Sequence, residues 1–308
     1  MAIELREQLQ ISLGAGYRVS RELAGGGMAH VFVADDPAYA HRVVVKVLSP
    51  ELTAGVDGER FKREILVATS LAHPRIVPVL KAENAGDVLY YMMPLIEGDT
   101  LRALLDAERQ LTVPRALAIA RDIAEALEYA HDKNIVHRDI KPENVMIERD
   151  TGRALVTDFG IARAIECAAD IGSMTTTGLT LGTPTYMSPE QVAGDGRLDG
   201  RSDIYSLGCV LYELLAGTPP FGGKNQRAIM AQHVTEPSPD LLGARTDVPD
   251  RVERLIARML AKAPSGRLSA TSFIRVVDGE PLPNANSLMR ELWSRCRSSV
   301  IRRWRASE

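Results

Sequence analysis

Eight consecutive residues constrain this chain more than any other stretch: His137-Arg138-Asp139-Ile140-Lys141-Pro142-Glu143-Asn144. They follow a segment in which Leu117, Ala120, Ile123, Ala124, Leu127 and His131 recur at the 3.6-residue period of a core helix. They precede the extended run Val145-Met146-Ile147. A short loop between a buried helix and a strand thus gathers a carboxylate, basic side chains and a carboxamide. On its own such a loop could be ordinary polar surface, so its meaning depends on what the rest of the chain supplies.

Upstream the pattern is strand-rich. Strand character begins at Tyr17-Arg18-Val19 and resumes at His30–Ala34, with Gly25-Gly26-Gly27 between them. A strand-glycine-strand hairpin lets backbone N–H groups approach an anion closely, because no Cβ intervenes. An isolated glycine triplet is more often a plain tight turn. Arg42–Leu48 sets Val43, Val44, Val45 and Val47 around a single Lys46, the pattern of a strand buried on both faces. A lysine there needs an anion, since an unpaired buried charge is unfavourable. Residues 58–70 predict a helix with Phe61, Ile65 and Ala68 on one side and Glu64 beside them. A Lys46–Glu64 ion pair is the sharper expectation, a solvated helix charge the plainer one. His73-Pro74 ends that helix. Strands are predicted at Ile76–Leu80 and Val88–Met92, and a linker at Leu95–Asp99. Ahead of all this, residues 3–13 are weakly amphipathic, a leader expected to pack on the outside.

Beyond the linker the pattern is mainly helical. A strand at Leu155–Thr157 leads into Asp158-Phe159-Gly160. A polar, small-residue segment with Thr175, Thr176, Thr177, Thr180 and Thr183 then runs to Ser188-Pro189-Glu190, with the composition of an exposed loop. Ile204–Leu215 is apolar all round and predicts a central buried helix, with Asp203 at its start where the helix dipole favours a carboxylate. Helical segments continue to about Val277, and no internal repeat is present. At 308 residues, 45% apolar and 25% charged, the chain suits one large bilobal domain or two ordinary ones, not a disordered or fibrous protein. A net charge of −3 gives no general attraction to nucleic acid or membrane. Cys167, Cys209 and Cys296 have no paired spacing, which argues against a disulfide framework or zinc site and for a reducing cytoplasm. No apolar run approaches the ~20 residues that span a bilayer, and the N-terminus lacks the layout of a signal peptide.

Phosphoryl transfer from ATP to a hydroxyl requires a carboxylate to orient the hydroxyl, a cation for the moving phosphate and a metal ligand. The octapeptide, with Lys46, Glu64 and Asp158, presents that set in order. The chain resembles a eukaryotic-type (Hanks-type) serine/threonine protein kinase of the kind common in bacteria, over roughly residues 17–275. The resemblance implies an α+β, bilobal protein-kinase fold: a small antiparallel-sheet N-lobe with one main helix (17–95) and a larger, mostly helical C-lobe (96–275). A leader (1–16) would precede it, and a linker with a basic amphipathic tail (276–308) would follow.

Position by position, the resemblance implies that Leu23, Ala24, Gly25, Gly26 and Gly27 cover the ATP phosphates, with Val31 packed on the adenine and Val44 in the same site. Met93 falls at the gatekeeper position. Pro94-Leu95-Ile96 is the hinge, binding adenine through the Pro94 carbonyl and the Ile96 backbone; proline is acceptable because only its acceptor is used. Lys46, paired with Glu64, holds the α- and β-phosphates. Asp139 is the catalytic base, and Lys141 neutralises the γ-phosphate. Asn144 and Asp158 are hard oxygen donors for Mg²⁺, with Mn²⁺ the alternative. Phe159, followed by Gly160, joins Ala68, Val79 and His137 in a stacked column. Glu190 pairs structurally with Arg267, and Asp203 braces the catalytic loop. Lys141 two residues after Asp139, together with Thr183 in Gly-Thr-Pro, marks the serine/threonine class. Arg138, joined by Arg163, would meet a phosphorylated loop threonine through charge-assisted bonds, so autophosphorylation is expected at Thr175 and Thr177 and less at Thr180.

Expected partners are protein substrates with serine or threonine hydroxyls and the chain itself, through a transient homodimer; nucleic acid is not expected. Two features depart from the family pattern. With Gly26 as the second glycine of the phosphate loop, Ala24 and Ala29 occupy the first and third positions, and Ala68 is small for its place in the column. A pseudokinase or scaffold that binds nucleotide without turnover is therefore the alternative. A small-molecule phosphotransferase shares the ATP site but would not need the polypeptide platform suggested by Pro189-Glu190 and the threonine-rich segment. After Pro281-Leu282-Pro283, the residues Leu288, Leu292, Trp293, Cys296, Val300 and Trp304 recur at helical spacing among six arginines. Such a basic amphipathic helix suits an anionic membrane surface, a docked partner or the large lobe. A cytoplasmic location follows, either peripheral at the membrane or as the cytosolic part of a longer membrane-anchored kinase.

Overall fold

The computed structural model describes residues 2–24, 29–36, 42–49, 53, 56–68, 70–85, 88–161, 164–165 and 184–283. The chain divides into two compact units, residues 1–108 with 129–183 and residues 109–128 with 184–308.

In the first unit, β1 (Arg18–Ala24), β2 (Ala29–Asp35), β3 (Arg42–Leu48), β4 (Lys81–Ala85) and β5 (Val88–Pro94) form an antiparallel sheet in the order β1-β2-β3-β5-β4. Side chains alternate across a strand, and the two faces of β5 divide accordingly. Leu89, Tyr91 and Met93 join one apolar cluster with Phe61 and Ile65 of helix α2 (Gly58–Ala68). Val88, Tyr90 and Met92 join another with Leu9 and Leu13 of helix α1 (Ala2–Leu13). This double coverage explains why β3 and β5 read as continuous apolar runs. The weakly amphipathic leader is thus a helix docked on the sheet, fastened by Arg6 Nη2 to the Val19 carbonyl at 3.1 Å and by Gln10, which accepts from Val19 N at 2.9 Å.

The strand expected at Ile76–Leu80 does not form. Pro78 lies within that run and lacks the N–H a ladder needs. The segment stays irregular apart from an isolated bridge between Ile76 and Val156, with Val77 N donating to the Val156 carbonyl at 2.9 Å, and the continuous ladder begins at Lys81. The linker expected at Leu95–Asp99 is shorter than expected, because β6 (Gly98–Thr100) begins inside it. It pairs with β7 (Val145–Glu148), which pairs with β8 (Ala154–Val156). Gly98 permits this approach: a Cβ there would lie 2.0 Å from the Ile147 carbonyl oxygen. The small sheet delivers residues 137–144 into β7 and Asp158 out of β8. Helix α3 (Leu101–Glu108) follows β6 directly.

The second unit is helical. It holds most of α4 (Val113–Asp132), then α5 (Pro189–Val192), α6 (Gly200–Ala216), α7 (Gln226–Thr235), α8 (Leu241–Ala244), α9 (Asp250–Met259) and α10 (Ala270–Val277). Asp199 caps α6 by accepting from Arg201 N, so the helix starts before Ile204 and Asp203 sits in its first turn. Every residue of α6 from Ser202 to Leu215 is buried. Gly208 lets α9 close on it, since a Cβ there would meet Met259 Cβ at 2.9 Å. Among the described residues no helix is long and apolar enough to cross a membrane.

Candidate active site

The register of the large sheet sets the first half of the site. Val31 is opposite Lys46, and Lys46 is opposite Tyr91, so three adjacent strands place these residues in one row. Lys46 Nζ donates to Asp158 Oδ2 at 2.5 Å, and Tyr91 Oη donates to Asp158 Oδ1 at 2.8 Å. One carboxylate is therefore held by two donors from neighbouring strands. Burial pushes the Asp158 carboxyl upward, but the Lys46 charge and the hydrogen bonds from Lys46 and Tyr91 outweigh it, leaving the group below its ordinary pKa. Burial, reinforced by the charge of Asp158, drives the Tyr91 phenol well above its ordinary value, so it stays a donor. Asp158 has φ of 66°, a left-handed conformation that a non-glycine residue holds only when its surroundings demand it.

The expected Lys46–Glu64 pair is not formed: among the described ion pairs Lys46 meets Asp158. The Asp158 side chain is 11% exposed, whereas Glu64 on α2 is only half-buried. A desolvated carboxylate gains more from a cation than a partly hydrated one does.

The second half is the loop after α4. His137 Nε2 lies 2.8 Å from the Thr157 carbonyl, and Asp139 N donates to His137 Nδ1 at 3.2 Å. Those two partners assign the proton to Nε2, which fixes the ring. Its edge meets Phe159 with centroids 4.6 Å apart. Val79 is buried nearby in the apolar cluster of the first unit, while the Ala68 side chain lies outside the described residues. Arg138 has φ of 72°, the turn that lets His137 point inward while the chain continues to Asp139. Asp139 Oδ2 accepts from Lys141 Nζ at 2.7 Å and from Asn144 Nδ2 at 2.9 Å. Asn144 Nδ2 also donates to the Asp139 carbonyl at 2.8 Å. The Asn144 carbonyl accepts from Thr157 N at 2.9 Å, which ties it beside Asp158.

The donor set fits a hard divalent cation. Both amide hydrogens of Asn144 are committed to Asp139, which leaves Oδ1 as its outward atom. Asp158 retains lone pairs beyond those taken by Lys46 and Tyr91. Carboxylate and carboxamide oxygens, too few to cage an ion alone, suit Mg²⁺ shared with phosphates. No group of three or more His, Cys, Asp or Glu that could hold a metal ion occurs among the described residues.

Of the other expected nucleotide contacts, Val44 is buried opposite Met93 on β5, Val31 and Ile96 are half-buried, and Leu23 is 43% exposed at the end of β1. Pro94 closes β5 opposite Val43, and Leu95 N is committed to the Arg42 carbonyl at 3.1 Å. Ala24 ends β1, and Ala29, the third phosphate-loop position, begins β2. Gly25, Gly26 and Gly27 lie outside the described residues, as do Arg163, Thr175, Thr177, Thr180 and Thr183. The Gly160 carbonyl accepts from Ala164 N at 2.9 Å.

The second unit contains the expected Glu190–Arg267 pair. Arg267 Nη1 and Nη2 donate to the two Glu190 oxygens at 2.6 and 2.8 Å, and Ser202 Oγ donates to Oε1 at 2.6 Å. The remaining guanidinium hydrogens reach the carbonyls of Ala261, Arg201 and Lys262. Burial raises the Glu190 carboxyl, but hydrogen bonds from Arg267 and Ser202 overcome that and hold it low. Asp203 is 1% exposed in α6. Next to this pair, Tyr205 Oη lies 2.9 Å from His233 Nδ1, and His233 Nε2 lies 3.1 Å from the Thr185 carbonyl. Burial, then the nearby Lys262 charge, lowers the His233 pKa to about 4.

Sequence reasoning missed two groups here, Tyr91 and the Tyr205–His233 link. Alternation within Val88–Met92 puts Tyr91 on one face, but only the pairing register shows that Lys46 shares it.

Comparisons with known proteins place the chain in a family. The family model described as Protein kinase domain matches residues 17–276. The chain is 40% identical over 282 residues to the probable serine/threonine-protein kinase SCO3848 of Streptomyces coelicolor, covering 88% of this chain and 41% of that one. It is 40% identical over 290 residues to the serine/threonine-protein kinase PknB of Mycobacterium tuberculosis, covering 89% and 45%. The chain thus spans less than half the length of these curated relatives. Among solved structures, the Mycobacterium tuberculosis PknI kinase domain is similar with a TM-score of 0.68 and 32% identity, covering 86% of this chain and 96% of that one. Rad53 residues 1–466, solved with AMP-PNP, gives a TM-score of 0.70 and 26% identity, covering 87% and 66%. With a family match over most of its length and the fold to accompany it, the chain belongs to the protein kinase family, among the bacterial Hanks-type serine/threonine kinases.

Proposed function

We propose that the chain transfers the γ-phosphoryl group of ATP to serine and threonine hydroxyls of proteins. The observation that carries this reading is the convergence of Lys46, Asp139, Lys141, Asn144 and Asp158 within one compact unit. Asp139 has one oxygen, Oδ2, held by Lys141 and Asn144, and presents the other to the incoming hydroxyl. That oxygen orients the hydroxyl and takes its proton as the nucleophile bonds to the γ-phosphorus and the bond to the bridging β,γ-oxygen breaks, releasing ADP. Lys141 shifts from Asp139 to the moving phosphoryl group, and Lys46 from Asp158 to the α- and β-phosphates. Asn144 and Asp158 would hold Mg²⁺, or Mn²⁺ in its place. When bound, the metal neutralises charge on the phosphates and aligns them. The transition state is loose and charge-rich, so positioned cations supply most of the acceleration.

Four finer points belong to the same reading. Autophosphorylation at Thr175 and Thr177 creates a ligand for Arg138 and Arg163. Transient pairing of two copies makes that reaction intermolecular. Residues 278–308 rest on an anionic membrane surface. The domain works in the cytoplasm as part of a longer kinase. Phosphosite mapping, the concentration dependence of the rate, vesicle co-sedimentation and fractionation of cells would contradict them in turn if they found unmodified threonines, first-order kinetics, no lipid binding or an extracytoplasmic protein.

The reading as a whole is tested by transfer of radiolabel from Mg-ATP to a serine- and threonine-containing protein, with wild type beside Asp139→Asn. The expected result is label with wild type and a loss on the order of 10³-fold with the variant. Nucleotide binding without label transfer would establish the pseudokinase alternative instead.

A further inference from the structure

We infer that Tyr91 is a positioning residue for the metal-binding carboxylate, acting through Asp158 rather than on the nucleotide. The inference rests on the reading of Asp158 as a metal ligand and goes beyond it by naming the group that aims it.

Tyr91 is 3% exposed, and its ring packs in the apolar cluster between β5 and α2 with Leu89, Met93 and Ile65. A phenol buried there needs a partner for its hydroxyl. The partner is Asp158 Oδ1 at 2.8 Å, 67 residues away in sequence. The opposite oxygen of the same carboxylate is taken by Lys46, the direct cross-strand neighbour of Tyr91. The two donors differ in kind. Lys46 is an ammonium on a flexible stem, and its task in phosphoryl transfer draws it toward phosphates. Tyr91 is a rigid ring fixed at both strand neighbours, Lys46 and Ala82, and has no other described partner for its hydroxyl.

When Lys46 turns to a nucleotide, Tyr91 is the described side-chain donor that keeps the carboxylate plane fixed and its remaining lone pairs aimed. That matters because Asp158 sits on a left-handed backbone with φ of 66°, a conformation that relaxes unless side-chain contacts over-determine it. Hydrogen bonds to ligating carboxylates set metal affinity in this way generally, and their loss weakens it by about 10- to 100-fold.

The test is equilibrium binding of a non-hydrolysable ATP analogue as Mg²⁺ is titrated, with wild type, Tyr91→Phe, Tyr91→Met and Tyr90→Phe. Tyr90 lies on the same strand but faces the α1 cluster, so its variant controls for loss of a buried hydroxyl. The expected result is a roughly tenfold higher half-saturating Mg²⁺ concentration for both Tyr91 variants. Analogue binding without metal stays unchanged in those variants, and Tyr90→Phe does not shift the Mg²⁺ midpoint. A shift below twofold in both Tyr91 variants, with a wild type that responds to Mg²⁺, overturns the inference. An equal shift in Tyr90→Phe also overturns it, because the effect would then be general softening of the sheet. A wild type whose analogue binding ignores Mg²⁺ removes the metal role of Asp158 itself, and the proposed function fails first.

Discussion

Two buried ion pairs, one in each compact unit, differ in how completely they are satisfied. Arg267 uses all five of its N–H donors on Glu190 and three carbonyls, and its side chain is 0% exposed. Among the described residues Lys46 uses one of an ammonium's three donors, on Asp158, and it is 17% exposed. The first pair has no N–H donor left to offer a ligand, and its cation is closed to solvent. The second has spare donors, spare carboxylate lone pairs and access to solvent. A saturated pair holds a fold together, whereas an unsaturated pair at comparable depth is available to exchange partners with a charged substrate. The pairing chemistry is the same in both units, and the unused valences separate architecture from site.

The largest effect that would break this contrast is on stability in the second unit. Arg267→Met leaves the buried Glu190 carboxylate without its bidentate cation and with the Ser202 hydroxyl as its described side-chain donor, and the expected loss is about 3–5 kcal/mol. Thermal or denaturant unfolding would read it. Adding Glu190→Leu removes the orphaned charge and recovers most of the loss; if the double variant is no better than the single, the pair is not isolated in the way described. The smaller effect comes from His233, lowered from 6.5 to about 4 by burial. An imidazole harder to protonate when folded contributes stability that is complete above pH 6.5 and lost as pH falls toward 4. The stability difference between wild type and His233→Asn should therefore narrow by about 1–2 kcal/mol between pH 7 and pH 5. A gap independent of pH over that range would show that His233 is not held neutral by its surroundings.

Legibility in the sequence follows the range of the interaction. β3 and α6 are legible because burial on all sides leaves an unbroken apolar run, at Val43–Val47 and Ile204–Leu215. The loop 137–144 is legible because its acid, lysine and carboxamide bond to one another across a few residues. The run Ile76–Leu80 misleads, since Ile76, Val77 and Val79 are buried as irregular chain on either side of Pro78, which bars a ladder, while Leu80 is exposed. The partner of Lys46 is not legible at all. Glu64 and Asp158 are both acidic and both plausible by order, and the choice depends on which is more desolvated, a property of packing over 112 residues of separation. Tyr91 is hidden for the same reason: one tyrosine in an apolar strand looks like core until the register shows what stands opposite.

The most direct measurement of the account is Asp158→Asn, assayed both for unfolding and for Mg-ATP-dependent phosphoryl transfer. The variant keeps the shape of the carboxylate and can still accept from Tyr91, while Lys46 retains solvent. The prediction is a melting temperature within a few degrees of wild type together with a transfer rate lower by about 10³-fold. Transfer retained near the wild-type rate, or destabilisation as severe as that of Arg267→Met, would contradict the assignment of the unsaturated pair as the working site.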